Sequence, residues 1–165
     1  MSESIRSLYD LYANDVYRFA KLTLGDAEEA KDVTQEVFYR AFKSVNRFRG
    51  ESNPRTWIMS IARNYIFDLF RRRRIQQKAW AEYRLGQDTS VVDYPEEMHL
   101  LAGAILELKP TYRQVFVLRH VQNYSVQETA TILHWSTSKV TTTDLRAIEK
   151  LRSILGGERS YGETK

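Results

Sequence analysis

Arginine and aromatic side chains recur at helical spacing in the middle of the chain. The residues that share this face are Arg63, Asn64, Phe67, Arg71 and Arg74. Guanidinium groups bind phosphates, and an exposed aromatic ring can stack on an unpaired base. The spacing therefore indicates a surface for single-stranded nucleic acid. A solvated basic helix end, in which Asp68 pairs with Arg72 one turn away, would show the same pattern.

A second pattern, nearer the C-terminus, combines a short helix, a tight turn and a longer helix. The short helix spans Ser125 to Leu133, and the longer helix begins at Thr137. This layout is typical of a helix-turn-helix, whose second helix enters the major groove of DNA. The hydroxyl and basic side chains of this region are predicted to contact phosphates and base edges of DNA. They are Ser136, Thr137, Ser138, Lys139, Thr141, Thr142, Thr143 and Arg146. A plain helical hairpin is the alternative interpretation.

A third pattern, in the first quarter of the chain, favours protein binding. The polar residues Asp32, Gln35 and Glu36 stand beside two aromatic residues, Phe38 and Tyr39. We expect both aromatic side chains to lean outward from a helix. Exposed aromatic rings among fixed charges are typical of a surface that binds another protein.

The composition argues against a catalytic or metal-binding protein. The chain has no cysteine, which suits a reducing cytosol, and its three histidines are scattered without the spacing of metal ligands. It contains no glycine-rich phosphate loop and no plausible catalytic group of serine and carboxylate residues. We therefore expect no enzyme activity, no cofactor and no metal.

The charge and hydropathy patterns favour a cytoplasmic protein with a polyanionic partner. The net charge is +4, and two basic segments, 1–78 and 98–165, flank an acidic one. Such segments are attracted to phosphates, although a solvated surface would also account for them. No apolar run approaches the roughly 20 residues of a membrane-spanning helix, and the first 15 residues lack the apolar core of a signal peptide.

The elements that must position these residues are all helices. Apolar residues recur with the 3.6-residue period, and no segment alternates as a strand would. We predict an all-α fold of two small helical domains joined by a flexible linker, the second domain a helix-turn-helix. The predicted boundaries are a first domain over 1–78, a linker over 79–95, a second domain over 96–156 and a tail over 157–165.

Caps and stops set the predicted helix ends. The first helix runs from about Ser4 to Leu24, where Gly25 stops it, and Asp26 caps the second helix. The third helix ends in Arg71 to Arg74, and the last helix ends near Leu155. Leu100 is expected on the buried face of the helix that opens the second domain.

Three motifs, in this order along the chain, resemble those of the extracytoplasmic-function (group IV) sigma factors. The segment from Asp32 to Phe38 (DVTQEVF) is similar to the family's polymerase-binding motif. The segment from Arg55 to Arg72 resembles its helix for recognising and melting the −10 promoter element. The segment from Tyr112 to Leu133 resembles the start of its −35-binding domain.

The resemblance implies a role for each matched residue. Docking on the β′ clamp helices of core RNA polymerase would fall to Asp32, Gln35, Glu36, Phe38 and Tyr39. The −10 strand, with one flipped base, would be held by Arg47, Phe48, Arg49, Asn53, Arg55, Arg63, Asn64, Phe67, Arg71, Arg72 and Arg74. The −35 element would be read from the last helix and from Arg119, and the β flap would be a further polymerase contact.

The sequence departs from the family's pattern in the predicted −35 region. His134 stands where glycine is common, and Thr141 and Thr143 stand where basic residues are common. Asp144 is expected to present a negative charge on the helix that faces DNA.

The family is also commonly silenced by an anti-sigma factor, so we expect an inhibitor protein as a further partner. A stand-alone helix-turn-helix regulator remains the alternative function. It would leave the Asp32 motif and the arginine-rich helix without a role.

Overall fold

The fold is described here from a computed structural model. It describes residues 2–48, 53–80 and 96–162, and the side chains of residues 5–48, 53–73 and 98–156. This part of the chain is all-helical and divides into two compact units, Met1–Val91 and Val92–Lys165. The all-helical, two-domain class predicted from the sequence is therefore confirmed.

The first unit contains three α-helices, α1 (Ser2–Leu24), α2 (Ala27–Ser44) and α3 (Pro54–Trp80), with a 3₁₀ turn (Val45–Arg47) after α2. Gly25 ends α1 with a φ of 78°, a conformation that glycine adopts without strain. The predicted Asp26 cap is confirmed, because its carboxylate accepts a hydrogen bond from Glu29 N at 3.0 Å. The tight connection sets α1 against α2.

A single apolar core joins the three helices of the first unit. Side chains from each helix are fully or almost fully buried, including Val16, Phe19, Val33, Val37, Ile58, Ala62 and Ile66. Their spacing of three and four residues places one stripe of each helix inward. The remaining faces of α2 and α3 are thereby turned outward.

Helix α3 ends later than the sequence predicted. Asn53 accepts a hydrogen bond from Arg55 N at 2.9 Å, and Pro54 occupies the first turn, where its missing N–H costs nothing. The helix continues to Trp80, past the predicted end at Arg74 and into the first two residues of the predicted linker. No proline or glycine interrupts that stretch of sequence. The rest of the predicted linker lies outside the described residues.

The second unit contains α4 (Glu96–Glu107), α5 (Pro110–Phe116), a π-helical turn (Val117–Val121), α6 (Val126–Leu133) and α7 (Thr137–Gly162). Arg113 donates to Leu106 O at 2.7 Å and to Leu108 O at 2.9 Å, which satisfies carbonyls at the end of α4. Burial lowers the pKa of this guanidinium. Arg113 therefore supports the fold.

Two predictions about this unit were wrong. Leu100 is exposed, because Ala104, Ile105 and Leu108 supply the inward face of α4 without it. Helix α7 extends to Gly162 and so includes residues predicted as a tail. The consecutive glycines Gly156 and Gly157 each weaken the helix by only about 1 kcal/mol, and α7 continues through them.

Candidate functional site

The outward side of α2 forms the first candidate surface, which we call the α2 face. Asp32 and Gln35 are exposed there, and the ring of Tyr39 is 52% exposed with Lys43 Nζ 4.5 Å from its centroid. Glu36 is half-buried and pairs with Arg40 at 3.1 Å, as expected for residues one helical turn apart. The face therefore combines acidic, amide and aromatic groups.

Phe38 does not lie on this surface, so the expectation that it leans outward is wrong. Its side chain is 6% exposed, and its ring meets that of Tyr9 edge-on with centroids 4.9 Å apart. Phe42 supplies the exposed aromatic group instead, at 57% exposure. The sequence contained a pattern that could have identified Phe42, since Gln35, Tyr39 and Phe42 are spaced by four and three residues and therefore share one helix face. We count Phe42 as part of the α2 face.

The outward side of α3 forms the second surface, the α3 face. The guanidinium carbon of Arg63 lies 4.1 Å from the ring centroid of Phe67, and its Nη1 donates to Asn64 Oδ1 at 3.2 Å. Partial burial lowers the pKa of Arg63, the positive charge of Arg71 adds to that effect, and Asp68 opposes it. The group still carries its charge at neutral pH. A cation, an amide and a ring are thus brought together, as the spacing predicted.

The arginines that follow are used differently. Arg71 donates to Asp68 Oδ1 at 3.0 Å, so Asp68 pairs with Arg71 and not, as in the alternative interpretation, with Arg72. Arg72 is exposed, whereas Arg73 is half-buried and forms an ion pair with Glu29 of α2. Arg74 lies within α3, but its side chain is outside the described residues. Arg73 therefore fixes α3 to α2, whereas Arg72 faces solvent.

The residues around the α2–α3 connection have intramolecular contacts of their own. The Phe48 ring stacks on Trp57 with centroids 4.6 Å apart, and Arg55 Nε lies 3.2 Å from Asp15 Oδ2. Asn53 caps α3, and Arg47 is exposed at the end of the 3₁₀ turn. Arg49 lies outside the described residues. These contacts tether both ends of the connection to the core.

The helix-turn-helix forms the third surface, and its turn is tightly specified. Helix α6 begins with a capping box: Ser125 Oγ accepts from Glu128 N at 3.0 Å, and Glu128 Oε2 accepts from Ser125 N at 2.9 Å. His134 closes α6 in the left-handed conformation, with a φ of 56°. This geometry explains why glycine would be common at that position.

Several predicted contact residues of α7 already have partners within the protein. Ser136 Oγ accepts from Lys139 N at 3.1 Å and so caps the helix. Lys139 Nζ lies 4.1 Å from the Trp135 ring centroid, and Thr141 Oγ1 donates to Thr137 O at 3.0 Å. The side chains of Thr137, Ser138, Thr142 and Arg146 are exposed, and that of Thr143 is half-buried.

Asp144 corrects the expectation of a negative charge facing DNA. Asp144 as a whole residue is only 9% exposed, because it lies on the inward stripe of α7 with Val140, Ala147 and Leu151. His120 Nε2 lies 2.8 Å from Asp144 Oδ1, and Arg119 Nε lies 3.9 Å from Oδ2. Arg119 also donates to Tyr124 O at 2.6 Å. Arg119, which was predicted to contact the −35 element, therefore uses most of its guanidinium group in contacts within the second unit.

Two absences can be stated for the described ranges 2–48, 53–80 and 96–162. No helix there is long and apolar enough to cross a membrane. No group of three histidine, cysteine, aspartate or glutamate residues within those ranges could hold a metal ion.

These surfaces are those of a protein of the sigma-70 class. The family model for sigma-70 region 2 matches residues 8–75, and the model for sigma-70 region 4 matches residues 98–151. The first match contains the α2 and α3 faces, and the second contains the helix-turn-helix.

Similar proteins narrow the class. The chain is 34% identical over 163 residues to the ECF RNA polymerase sigma factor SigX of Bacillus subtilis, covering 92% of this chain and 84% of that protein. It is 32% identical to the RNA polymerase sigma factor YlaC of the same organism, covering 95% of each. The chain belongs to the ECF family of RNA polymerase sigma factors, and it is an alternative sigma factor of transcription initiation.

Solved structures share the fold. The sigma factor RpoE, in complex with the anti-sigma factor NepR from Bartonella quintana, matches with a TM-score of 0.79 at 19% identity, over 93% of this chain and 98% of RpoE. CnrH, in complex with the cytosolic domain of CnrY, matches with a TM-score of 0.74 at 22% identity, over 95% and 90%.

Proposed function

We propose that this sigma factor docks on core RNA polymerase through the α2 face, holds the −10 element on the α3 face and reads the −35 element with α7. The observation that carries the proposal is the Arg63–Phe67–Asn64 cluster on the outward side of α3, in which Asn64 is exposed and Arg63 and Phe67 are partly exposed. Cation, ring and amide are the groups that hold a phosphate and an unstacked base together.

The docking step uses unlike groups on one face. Asp32 and Gln35 offer hydrogen bonds, while Tyr39 and Phe42 offer apolar area that becomes buried on binding. Aromatic anchors within a polar rim are the usual source of affinity at such interfaces. The partner surface would be the β′ clamp helices, and the β flap would contact the second unit.

Opening the DNA follows from base capture on the α3 face. A base taken out of the duplex loses stacking and pairing worth a few kcal/mol, which contacts in the receiving site must offset. Phe67 offers a ring for stacking, and Arg63, Arg71, Arg72 and Arg74 offer charge for the adjoining phosphates. The site for the flipped base would be formed by Arg47, Phe48, Arg49, Asn53 and Arg55.

The chain would contribute binding energy and no covalent chemistry, which the polymerase supplies. Its working place would therefore be the cytoplasm, where polymerase and promoters are found. We also propose an anti-sigma partner that covers the α2 face and α7. The structurally similar RpoE is bound to the anti-sigma factor NepR, and CnrH is bound to the cytosolic domain of CnrY, which supports this step.

Run-off transcription with core polymerase on a random promoter library tests the function. Promoter-specific transcripts should appear only when the protein is added, and the selected sequences should define both elements. Gln35→Ala with Phe42→Ala should reduce the transcripts and co-purification with core together. Leu11→Ala, which truncates an equally exposed apolar side chain on α1, is the matched control. Tight binding of duplex promoters without polymerase, and no stimulation of transcription, would favour the stand-alone regulator.

A further inference from the structure

An apolar side chain lies exposed on α7 with no role in the surfaces described above. Leu145 is 61% exposed, although leucine in a helix of this length normally faces a core. Ser138, Thr141 and Thr142 precede it at intervals that keep all four on the solvent side of α7, and all are exposed. We call these four residues the α7 outer stripe.

The rotation of α7 about its axis is fixed by the opposite side of the helix. Val140, Ala147 and Leu151 are buried there, and Asp144 is held by His120 at 2.8 Å. The Asp144–His120 hydrogen bond and three buried apolar side chains on one side leave little freedom to turn the helix. The outer stripe is therefore held facing away from the unit's core.

The spacing of the outer stripe matches that of a helix lying in a major groove. Its positions are i, i+3, i+4 and i+7, the set by which a homeodomain's third helix reads bases. Seven residues advance about 10 Å along a helix, which corresponds to about three base pairs. The stripe carries hydroxyl and methyl groups and no charge. Glu149, exposed one turn later, would be repelled by phosphates and ends the stretch.

The chemistry of the stripe selects a particular base. Guanine is usually read by arginine and adenine by asparagine or glutamine, and the stripe has none of these. Apolar side chains and threonine methyl groups instead pack against the 5-methyl group of thymine. Because Leu145 continues the helix-turn-helix surface, duplex DNA is a better fit to it than a separate protein partner.

We infer that Leu145 is a specificity-determining residue that contacts the 5-methyl group of one thymine in the −35 element. The inference rests on the proposed function, since it requires α7 to lie in the major groove of promoter DNA. It assigns base selectivity to an apolar group outside the sequence-predicted contact set. The basic residues Lys139 and Arg146 then serve mainly as phosphate contacts beside the stripe.

The test is a deoxyuridine scan of a promoter selected by the wild-type holoenzyme. Replacing each −35 thymine in turn by deoxyuridine removes one methyl group and leaves base pairing intact. Wild type should lose about three- to fourfold in initiation at one position, the effect of one methyl group withdrawn from an apolar contact. Leu145→Ala should initiate less well on thymine and lose the sensitivity at that position alone. Leu100→Ala, an exposed leucine of α4 in the same unit, should keep the wild-type pattern.

The outcomes separate the inference from the proposed function. If wild type supports no promoter-specific transcription with core polymerase, the proposed function itself is wrong. If it does, but the uridine profile is the same for wild type and Leu145→Ala, the assignment of Leu145 is overturned. The assignment is also overturned if Leu145→Ala weakens co-purification with polymerase and leaves the uridine profile unchanged, since Leu145 would then contact protein.

Discussion

Replacing His120 by alanine tests how α7 is held in place. His120 Nε2 lies 2.8 Å from the carboxylate of Asp144, and the imidazole also packs on the Phe116 ring at 5.0 Å between centroids. The Asp144 side chain is 12% exposed, whereas that of His120 is 36% exposed. Removing His120 therefore leaves the more deeply buried member of the pair with one poorer partner, Arg119 at 3.9 Å.

The expected cost lies between two limits. Breaking a fully buried ion pair costs about 3–5 kcal/mol, and an exposed ion pair contributes about 0–1 kcal/mol. A hydrogen bond to a charged group is worth roughly 1.5–3 kcal/mol. With one partner buried and one near solvent, we expect His120→Ala to destabilise the second unit by about 2 kcal/mol, or about thirtyfold in its opening equilibrium.

The complementary change should behave differently. Asp144→Leu removes the charge that needs a partner and places an apolar group beside Val140, Ala147 and Leu151, which are buried. His120 is left near solvent and can be hydrated, and Arg119 keeps its hydrogen bond to Tyr124 O. Replacing a buried charge by an apolar residue is often neutral or stabilising, so we expect a change within about 1 kcal/mol. Adding His120→Ala to Asp144→Leu should then cost much less than it does in wild type.

Native-state hydrogen exchange of the backbone amides of residues 137–156 measures this opening in the intact chain. Wild type, both single variants and the double variant complete a double-mutant cycle. Glu149→Ala, an exposed acidic residue on the same helix, is the control and should stay within about 0.5 kcal/mol. If His120→Ala costs as much in the Asp144→Leu background as in wild type, the pairing is not what stabilises α7.

Three further outcomes are expected. Phe42→Ala should weaken co-purification with core polymerase at unchanged stability, whereas Phe38→Ala should lower the free energy of unfolding by roughly 3–5 kcal/mol, as chemical denaturation would measure. Arg63→Ala should reduce initiation on duplex promoters more than on pre-melted bubble templates, and equal losses would indicate phosphate binding alone. His134→Gly should stabilise the second unit by about 1 kcal/mol in thermal unfolding, because glycine adopts the left-handed conformation without strain.

The fold followed from the sequence where single residues determine local geometry. Asp26, Ser125 and Pro110 each mark a helix start by a cap or by the missing N–H of proline, and the structure has all three starts. Gly25 and Asn123 both have a positive φ, as glycine and asparagine at helix ends often do. Such signals act within a few residues of chain, so they are legible without knowledge of packing.

The candidate surfaces were less predictable, because neighbouring helices decide which side of a helix is covered. Phe38 and Phe42 are both aromatic residues of α2, yet Tyr9 of α1 covers the first and leaves the second exposed. Leu100 belongs to an apolar stripe of α4 by its spacing, but its side chain is exposed because other residues of α4 make the contacts with the core. Helical spacing alone predicts which residues share a face, and the adjoining helix determines which face is buried.

The buried Asp144 and the π-helical turn before α6 are two irregular features of the second unit, and the turn helps to explain how the aspartate is accommodated. An aspartate in the inward stripe of α7 would be costly by itself, since a buried carboxylate needs a counter-charge. That counter-charge comes from Arg119, and His120 adds a hydrogen bond. Both residues lie at the π-helical turn that precedes α6, where Gln122 N donates to Val117 O at 2.9 Å in an i+5 hydrogen bond. A charge count along α7 therefore misstates what DNA would meet. Because Asp144 is satisfied within the protein, we expect the selectivity proposed for this helix to come from its outer stripe of hydroxyl and apolar groups.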